Sequence, residues 1–470
     1  MKKKWLALAL AVVMVLGSLT ACGTESGKEN GSNNGTASNN NASNTESVEK
    51  VADGGGKVLN IYVWNDEFQT RVKEYYPGYD QKTDMIGDVK VNWIMNANED
   101  NVYQNKLDAA LKKQDSASAD DKVDMFLIEA DYAEKYTKTD YTLDIKSIGI
   151  TDTDTADQYQ YTKDAVSDDN GVVKALSWQA CPGGYIYRRS IAKEVLGTDD
   201  PEEVQKAVAD WETFEKTAAK AKEKGYYMLS GYDDAYRVFS NNVSAKWVTE
   251  DKKIVMDDNI KAWIDQTKKF TDEGYNEKST LWDKTWVAGM GKKGKVMGYF
   301  MPSWGISFTM AENSMDDKKG KQEKGNGAYG DYGLVVGPQS FNWGGTWLCA
   351  CKGTDNADLV SKIMKTMTCD KEILTKICEE KQDFINNKTA NAEMTKAGVK
   401  SSFLGGQCMV EILAEAADKI DMSKISSYDQ GLNEELQAAM KDYFAGTVDY
   451  DTALANFYKK AETKYSALSH

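Results

Sequence analysis

The chain has 470 residues, of which 73 are acidic and 58 basic, for a formal net charge of −15, and 41% are apolar. That balance argues against nucleic acid or an anionic membrane surface as partner, since both need a basic footprint, and it weakly disfavours an anionic solute. The single histidine is the last residue, His470, which removes Ser-His-Asp and Cys-His catalysis, histidine zinc and copper sites, and histidine general bases.

At the N-terminus Lys2, Lys3 and Lys4 precede an apolar run from Trp5 to Leu16 and then small residues. The run is shorter than the ~18 residues a membrane-spanning helix needs, so residues 1–21 read as a signal peptide. Leu19-Thr20-Ala21-Cys22 resembles the bacterial lipobox, which implies Cys22 as the lipid-attachment site and a membrane anchor on the outer face; an ordinary signal peptide containing a cysteine is the alternative. Residues 22–56 are rich in Asn, Ser, Gly, Thr and Glu and hold no aromatic residue, the composition of a disordered tether.

Beyond the tether, residues 57–470 are too many for one small core and suit two lobes. Val58 to Trp64, the alternating Val89, Val91, Trp93 and Met95, and Val123 to Ile128 read as strands, with Tyr103, Leu107, Ala110 and Leu111 at helical spacing between the last two. Such an order predicts a parallel sheet that binds ligand beyond the carboxyl ends of its strands. Trp64-Asn65-Asp66-Glu67 and Glu129-Ala130-Asp131-Tyr132 then meet at the edge of a site. Gly171 to Arg188 reads as an apolar, aromatic strand interrupted by Pro182-Gly183-Gly184. Helices are predicted from the Asp200-Pro201 start, from Asp210, and from a cap at Asp258. A strand over Lys295 to Met301 runs into Pro302-Ser303-Trp304-Gly305. After a mobile loop around 315–331, two strand-like runs, Tyr332 to Val336 and Gly345 to Cys351, precede a largely helical remainder.

Six cysteines follow Cys22 with no Cys-x-x-Cys pair, which disfavours a zinc knuckle and favours buried free thiols. Asp152-Thr153-Asp154-Thr155-Ala156-Asp157 lacks the ligand and glycine that a calcium loop needs at its fifth and sixth positions, so it reads as a solvated loop. No metal or cofactor is expected.

Several segments together resemble the extracellular solute-binding proteins of carbohydrate ABC transporters, the maltose-binding-protein type. They are the lipobox and tether, Tyr62-Val63-Trp64-Asn65, Val123-Asp124-Met125-Phe126, and Trp178 through Arg188. Asp210-Trp211-Glu212-Thr213-Phe214, Gly298 through Trp304, and Asn342 to Trp347 complete the set. The resemblance implies an α/β, two-lobed periplasmic-binding-protein-like clamp, each lobe a mixed, mainly parallel sheet flanked by helices. It implies an N-terminal lobe of residues 57–178 and 348–398 and a C-terminal lobe of residues 179–347 and 399–470. The partners implied are an oligosaccharide and the permease subunits of an ABC importer; the protein is expected to be a monomer and not an enzyme.

A sugar presents a C–H face and a rim of hydroxyls, so its site needs flat rings with acids and amides. The family places a sugar-stacking aromatic where Trp304 stands, and strand-end logic adds Trp64, Asn65, Glu67 and Asp131. Trp343 and Trp347 flank Gly344-Gly345, where missing side chains would let a ligand approach. Trp178 and Gln179 lie at the first crossing, and Asp233, beside Tyr232 and Asp234, where the family often supplies a polar contact; Tyr428 is a weaker candidate. Trp93, Trp211 and Trp263 read as packing. Two other readings fit the same residue types: a cell-surface glycoside hydrolase using a carboxylate pair, and a clamp of this fold carrying a polyamine or peptide.

Overall fold

The apolar run at the start of the folded body becomes strand β1 (Val58–Val63) in a computed structural model that describes residues 48–470. The signal peptide over 1–21, the Cys22 lipid site and most of the expected tether lie outside the described residues. The tether reading does not extend to residue 56. Val51 N–H donates to the Ser147 carbonyl at 2.8 Å, and Gly54 and Gly56 N–H both donate to the Asp355 carbonyl at 3.1 and 3.0 Å. A side chain at Gly54 or Gly56 would collide with Asp355 or Asn356, so glycines written off as linker are what let this segment dock.

Strands β2 (Tyr79–Asp80), β3 (Met85–Ile86), β4 (Val89–Met95), β5 (Met125–Glu129) and β6 (Ala175–Ser177) follow. Next come β7 (Pro182–Arg188), β8 (Leu229–Gly231), β9 (Asn276–Ser279) and β10 (Gly298–Pro302). The last are β11 (Tyr332–Val335), β12 (Phe341–Asn342) and β13 (Thr346–Ala350). One sheet has the order β2-β3-β4-β1-β5-β13-β6, with β1 parallel to β4 and β5, and β13 antiparallel to β5 and β6. In the second lobe β7 is antiparallel to β10, β11 and β12, while β8 and β9 are a parallel pair joined to β10 through a parallel Tyr227–Val296 bridge. At the edge of the first sheet β3 is antiparallel to β2 and β4, and in each sheet one further antiparallel strand, β13 or β7, enters directly after a crossing.

Pro182-Gly183-Gly184 does not interrupt a strand but begins β7. A Cβ on Gly183 would meet the Phe341 ring at 2.1 Å and one on Gly184 the Val335 carbonyl at 2.6 Å. The missing side chains are the space that the neighbouring strands occupy. Helix Pro201–Ala207 is capped by Asp200, and helix Trp211–Glu223 by a reciprocal Asp210–Thr213 capping box. At the third helix the cap is Asp257, accepting from Asn259 N–H, and Asp258 is the first helical residue.

Three crossings join the lobes. Gln179 bridges Ile385, Ala180 N–H donates to the Phe384 carbonyl at 3.0 Å, and Asn386 N–H to the Trp178 carbonyl at 2.8 Å. The second passage of the chain runs from Asn342, paired with Pro182, to Thr346, paired with Glu129. The third follows Gly398, at φ +67, which ends helix Lys388–Ala397 before Phe403 stacks on Tyr332 at 4.9 Å. The six described cysteines are free.

Candidate ligand-binding cleft

The parallel strands of the first lobe end on one side. After β1 comes Trp64, half-buried, its indole edge-on to Tyr103 and Tyr132 at 5.4 and 6.4 Å between ring centroids. Asn65 Oδ1 accepts from Glu67 N–H at 3.1 Å, starting helix Glu67–Tyr75. After β5, the Glu129 carboxylate accepts from Asp131 N–H at 2.9 Å and so fixes the turn that presents Asp131.

In the second lobe the ends of β8, β9 and β10 carry the opposing groups. Asp233 follows β8 and accepts from Leu281 N–H, just past β9, at 3.2 Å. Arg237 projects from helix Tyr236–Ser240. Trp304 follows β10 and donates its indole N–H to the Trp343 carbonyl at 2.9 Å. Four rings form a connected wall in the order Phe308, Trp304, Trp343, Trp282, with successive centroids 6.1, 5.6 and 6.3 Å apart. The Arg237 guanidinium lies over the Trp343 ring, 5.8 Å from its centroid.

The lobes meet where Arg237 donates from both terminal nitrogens to the two oxygens of Asp131, a fork-on-fork pair. Gln430 Nε2 adds a bond to Asn101 Oδ1 at 3.0 Å, Gln104 Nε2 one to Gln430 Oε1 at 3.0 Å, and Lys246 lies 3.5 Å from Glu134. A cavity of about 40 Å³ beside the pair, lined by Asp131, Arg237, Asn241, Asn342 and Asp429, has room for water and not for a sugar ring.

The carboxyl groups gathered here hold protons longer than ordinary ones. Burial pushes Asp233 up to about 6 and Asp429 up to about 7. Burial and the Asp131 carboxylate raise Glu129 against the pull of Arg237; burial and Asp383 raise Glu67 against Arg71 and Gln179. A carboxyl whose folded pKa exceeds its unfolded value stabilises the fold while protonated, and that stability disappears as pH rises through the folded pKa. The melting temperature is therefore expected to fall between about pH 4 and about pH 7, and Asp233→Asn with Asp429→Asn to flatten the fall in a calorimetric pH series.

Of the residues expected at the site, Trp64, Asn65, Glu67, Asp131, Asp233, Trp304 and Trp343 stand at the strand ends or on the aromatic wall. Asp131 is committed to Arg237 rather than free. Trp347 is 1% exposed and donates its indole N–H to the Thr162 carbonyl at 2.8 Å, so it offers no face to a ligand. Trp178 is fully buried and stacked on Phe68 at 5.4 Å. Gln179 is also buried, its amide donating to Glu67 Oε1 at 3.2 Å and accepting from Cys181 Sγ at 2.8 Å. The space expected at Gly344-Gly345 is filled from within: a Cβ on Gly344 would meet the Trp304 indole nitrogen at 2.9 Å, and one on Gly345 the Trp347 ring at 3.0 Å. Tyr232 is buried against Phe444, and Tyr428 packs on Tyr465.

Arg237, Trp282 and Phe308 were not anticipated. A signal for the first exists: only four of the 58 basic residues are arginines. Arg71 and Arg188 are held by Asp383 and Asp331, Arg189 by backbone carbonyls, and Arg237 by Asp131. Where lysine supplies the solvated cations, arginine marks sites that need a planar fork.

Residues 78–401 match the family described as bacterial extracellular solute-binding protein. A solved extracellular solute-binding protein of family 1 superposes with a TM-score of 0.70 at 16% identity, covering 86% of this chain and 99% of that one. An ABC transporter associated binding protein from B. animalis subsp. lactis Bl-04, in complex with beta-1,6-galactobiose, gives 0.63 at 16% identity over 88% of this chain and 100% of its own. The galacto-N-biose/lacto-N-biose I-binding protein of Bifidobacterium longum gives 0.63 at 15% identity, over 88% and 98%. No curated protein matches the sequence.

Proposed function

The chain belongs to the family of bacterial extracellular solute-binding proteins, and from that premise we propose that it captures an oligosaccharide and presents it to the permease of an ABC importer. A lipid on Cys22 would hold it at the outer face of the cell membrane. The observation that carries the reading is the pairing of an aromatic wall on one lobe's strand ends with acid, amide and indole groups on the other's. Rings cover the C–H face of a pyranose, and Glu67, Asn65 and Asp233 suit its hydroxyl rim. Structural relatives bound to galactobiose and lacto-N-biose support the same cargo class.

Binding would act by population shift, since a guest touching both lobes favours the closed arrangement by its differential affinity for it. A micromolar dissociation constant, about 8 kcal/mol, suffices for such capture. Calorimetric titration with sugars and with spermidine tests the cargo; spermidine binding with no sugar binding would overturn the reading, as would new reducing ends on incubation with oligosaccharides. Trp304→Ala is expected to weaken sugar binding about 30-fold, in keeping with the loss of one central aromatic contact.

A further inference from the structure

Trp282 is 52% exposed, yet it sits at φ +71, a left-handed conformation that bulky residues rarely adopt. Its turn is held from two sides. Asp233 accepts from Leu281 N–H at 3.2 Å, and Asp283 accepts from Thr280 N–H at 2.9 Å and from Trp286 N–H at 2.8 Å. Backbone strain maintained by surrounding bonds in order to present a half-exposed indole is a mark of a working surface rather than of packing. At the far end of the same wall Phe308 is 71% exposed, on the π-helical segment Ile306–Met310 that follows Trp304.

The two inner rings are less available. Trp343 is 9% exposed beneath Arg237, and the Trp304 N–H is tied to the Trp343 carbonyl. The most open faces of the wall are therefore its two ends, with two intervening rings between them.

We propose that Trp282 and Phe308 are the outer stacking platforms of the cleft, so that the guest is an extended glycan of at least three sugar units. This rests on the sugar-binding reading above and adds to it both the length of the ligand and two specificity-determining residues. The Arg237 guanidinium of the Asp131–Arg237 pair covers the face of Trp343, so a guest that reaches both ends passes over that guanidinium rather than over the third ring.

The test is calorimetric titration of the wild-type protein with malto-, cello-, xylo- and galacto-oligosaccharides from monosaccharide to hexasaccharide, repeated on Trp282→Gly and Phe308→Ala. Glycine suits the backbone at residue 282, and Phe308 is mostly exposed, so both variants are expected to keep the melting temperature near that of the wild type. Trp282→Asn, which tolerates the same backbone, is a second probe of the indole. Wild-type affinity is expected to rise with length to the trisaccharide or beyond, and each variant to lose about tenfold for those longer glycans. Sugar binding that stops improving at the monosaccharide or disaccharide, or variants that bind long glycans as the wild type does, would overturn the inference and leave the sugar reading standing. If no sugar of any length binds, both fall.

Discussion

Arg237→Met is expected to destabilise the protein by about 3 kcal/mol, the range found when one partner of a buried ion pair is removed and the other is left behind. The side chains of Arg237 and Asp131 are 20% and 22% exposed, so water screens the pair only in part. Removing the guanidinium strands two acids at once, because Glu129 also leans on that charge. Methionine keeps part of the apolar stem but removes the guanidinium that lies over Trp343, so the loss combines the charge, its hydrogen bonds and that cation–π contact. Adding Asp131→Asn to Arg237→Met should recover part of the loss, and the double-mutant cycle then isolates the pair energy. Because the two residues belong to opposite lobes, the single variant should also enlarge the radius of gyration of the ligand-free protein in X-ray scattering. A stability loss with no such enlargement would mean that the other bridges, Gln430 with Asn101 and Gln104 and Lys246 with Glu134, hold the lobes together unaided.

The architecture was largely legible in the sequence because its signals are local. Val58–Val63 and Met125–Glu129 are apolar runs of strand length, and Asp200 and Asp210 cap helices as side chains of that type do. Strand-end logic needed only the order of elements to bring Trp64, Glu129 and Asp131 to one edge. What failed was the inference from chemical type to exposure. Trp347 and Trp304 differ little as residues in their segments, but Trp347 lies within β13, between β5 and β6, where both faces are covered, and Trp304 just beyond the last residue of β10. The glycines misled for the same reason: at Gly183, Gly184, Gly344 and Gly345 the vacated volume serves neighbours distant in sequence. Trp282 was hidden because nothing local distinguishes a strained, exposed indole from its neighbour Trp286, which is fully buried with its N–H donating to Asp234 at 2.8 Å.

Arg71→Met should cost more, about 4 kcal/mol, and should do so without the same opening of the lobes. Arg71 donates to Asp383 Oδ2 from Nε and a terminal nitrogen at 3.2 and 2.8 Å, and the side chains are 11% and 5% exposed, a drier setting than the Arg237 pair. Asp383 directly precedes Phe384, Ile385 and Asn386, the residues that bond to the first crossing at Trp178, Gln179 and Ala180. Arg71 itself stands on the helix that begins at Glu67, and Glu67 accepts from Gln179. One guanidinium thus ties the floor of the cleft to the hinge, and its loss leaves Asp383 and Glu67 close together with no cation between them. Their raised carboxyl pKa values should climb further, so the defect of Arg71→Met is expected to be mild near pH 5 and to grow towards pH 8, which denaturant melts at the two values would reveal. Asp383→Asn in the Arg71→Met background removes the charge that produces this dependence, and a pH-independent defect in the single variant would assign the loss to packing instead.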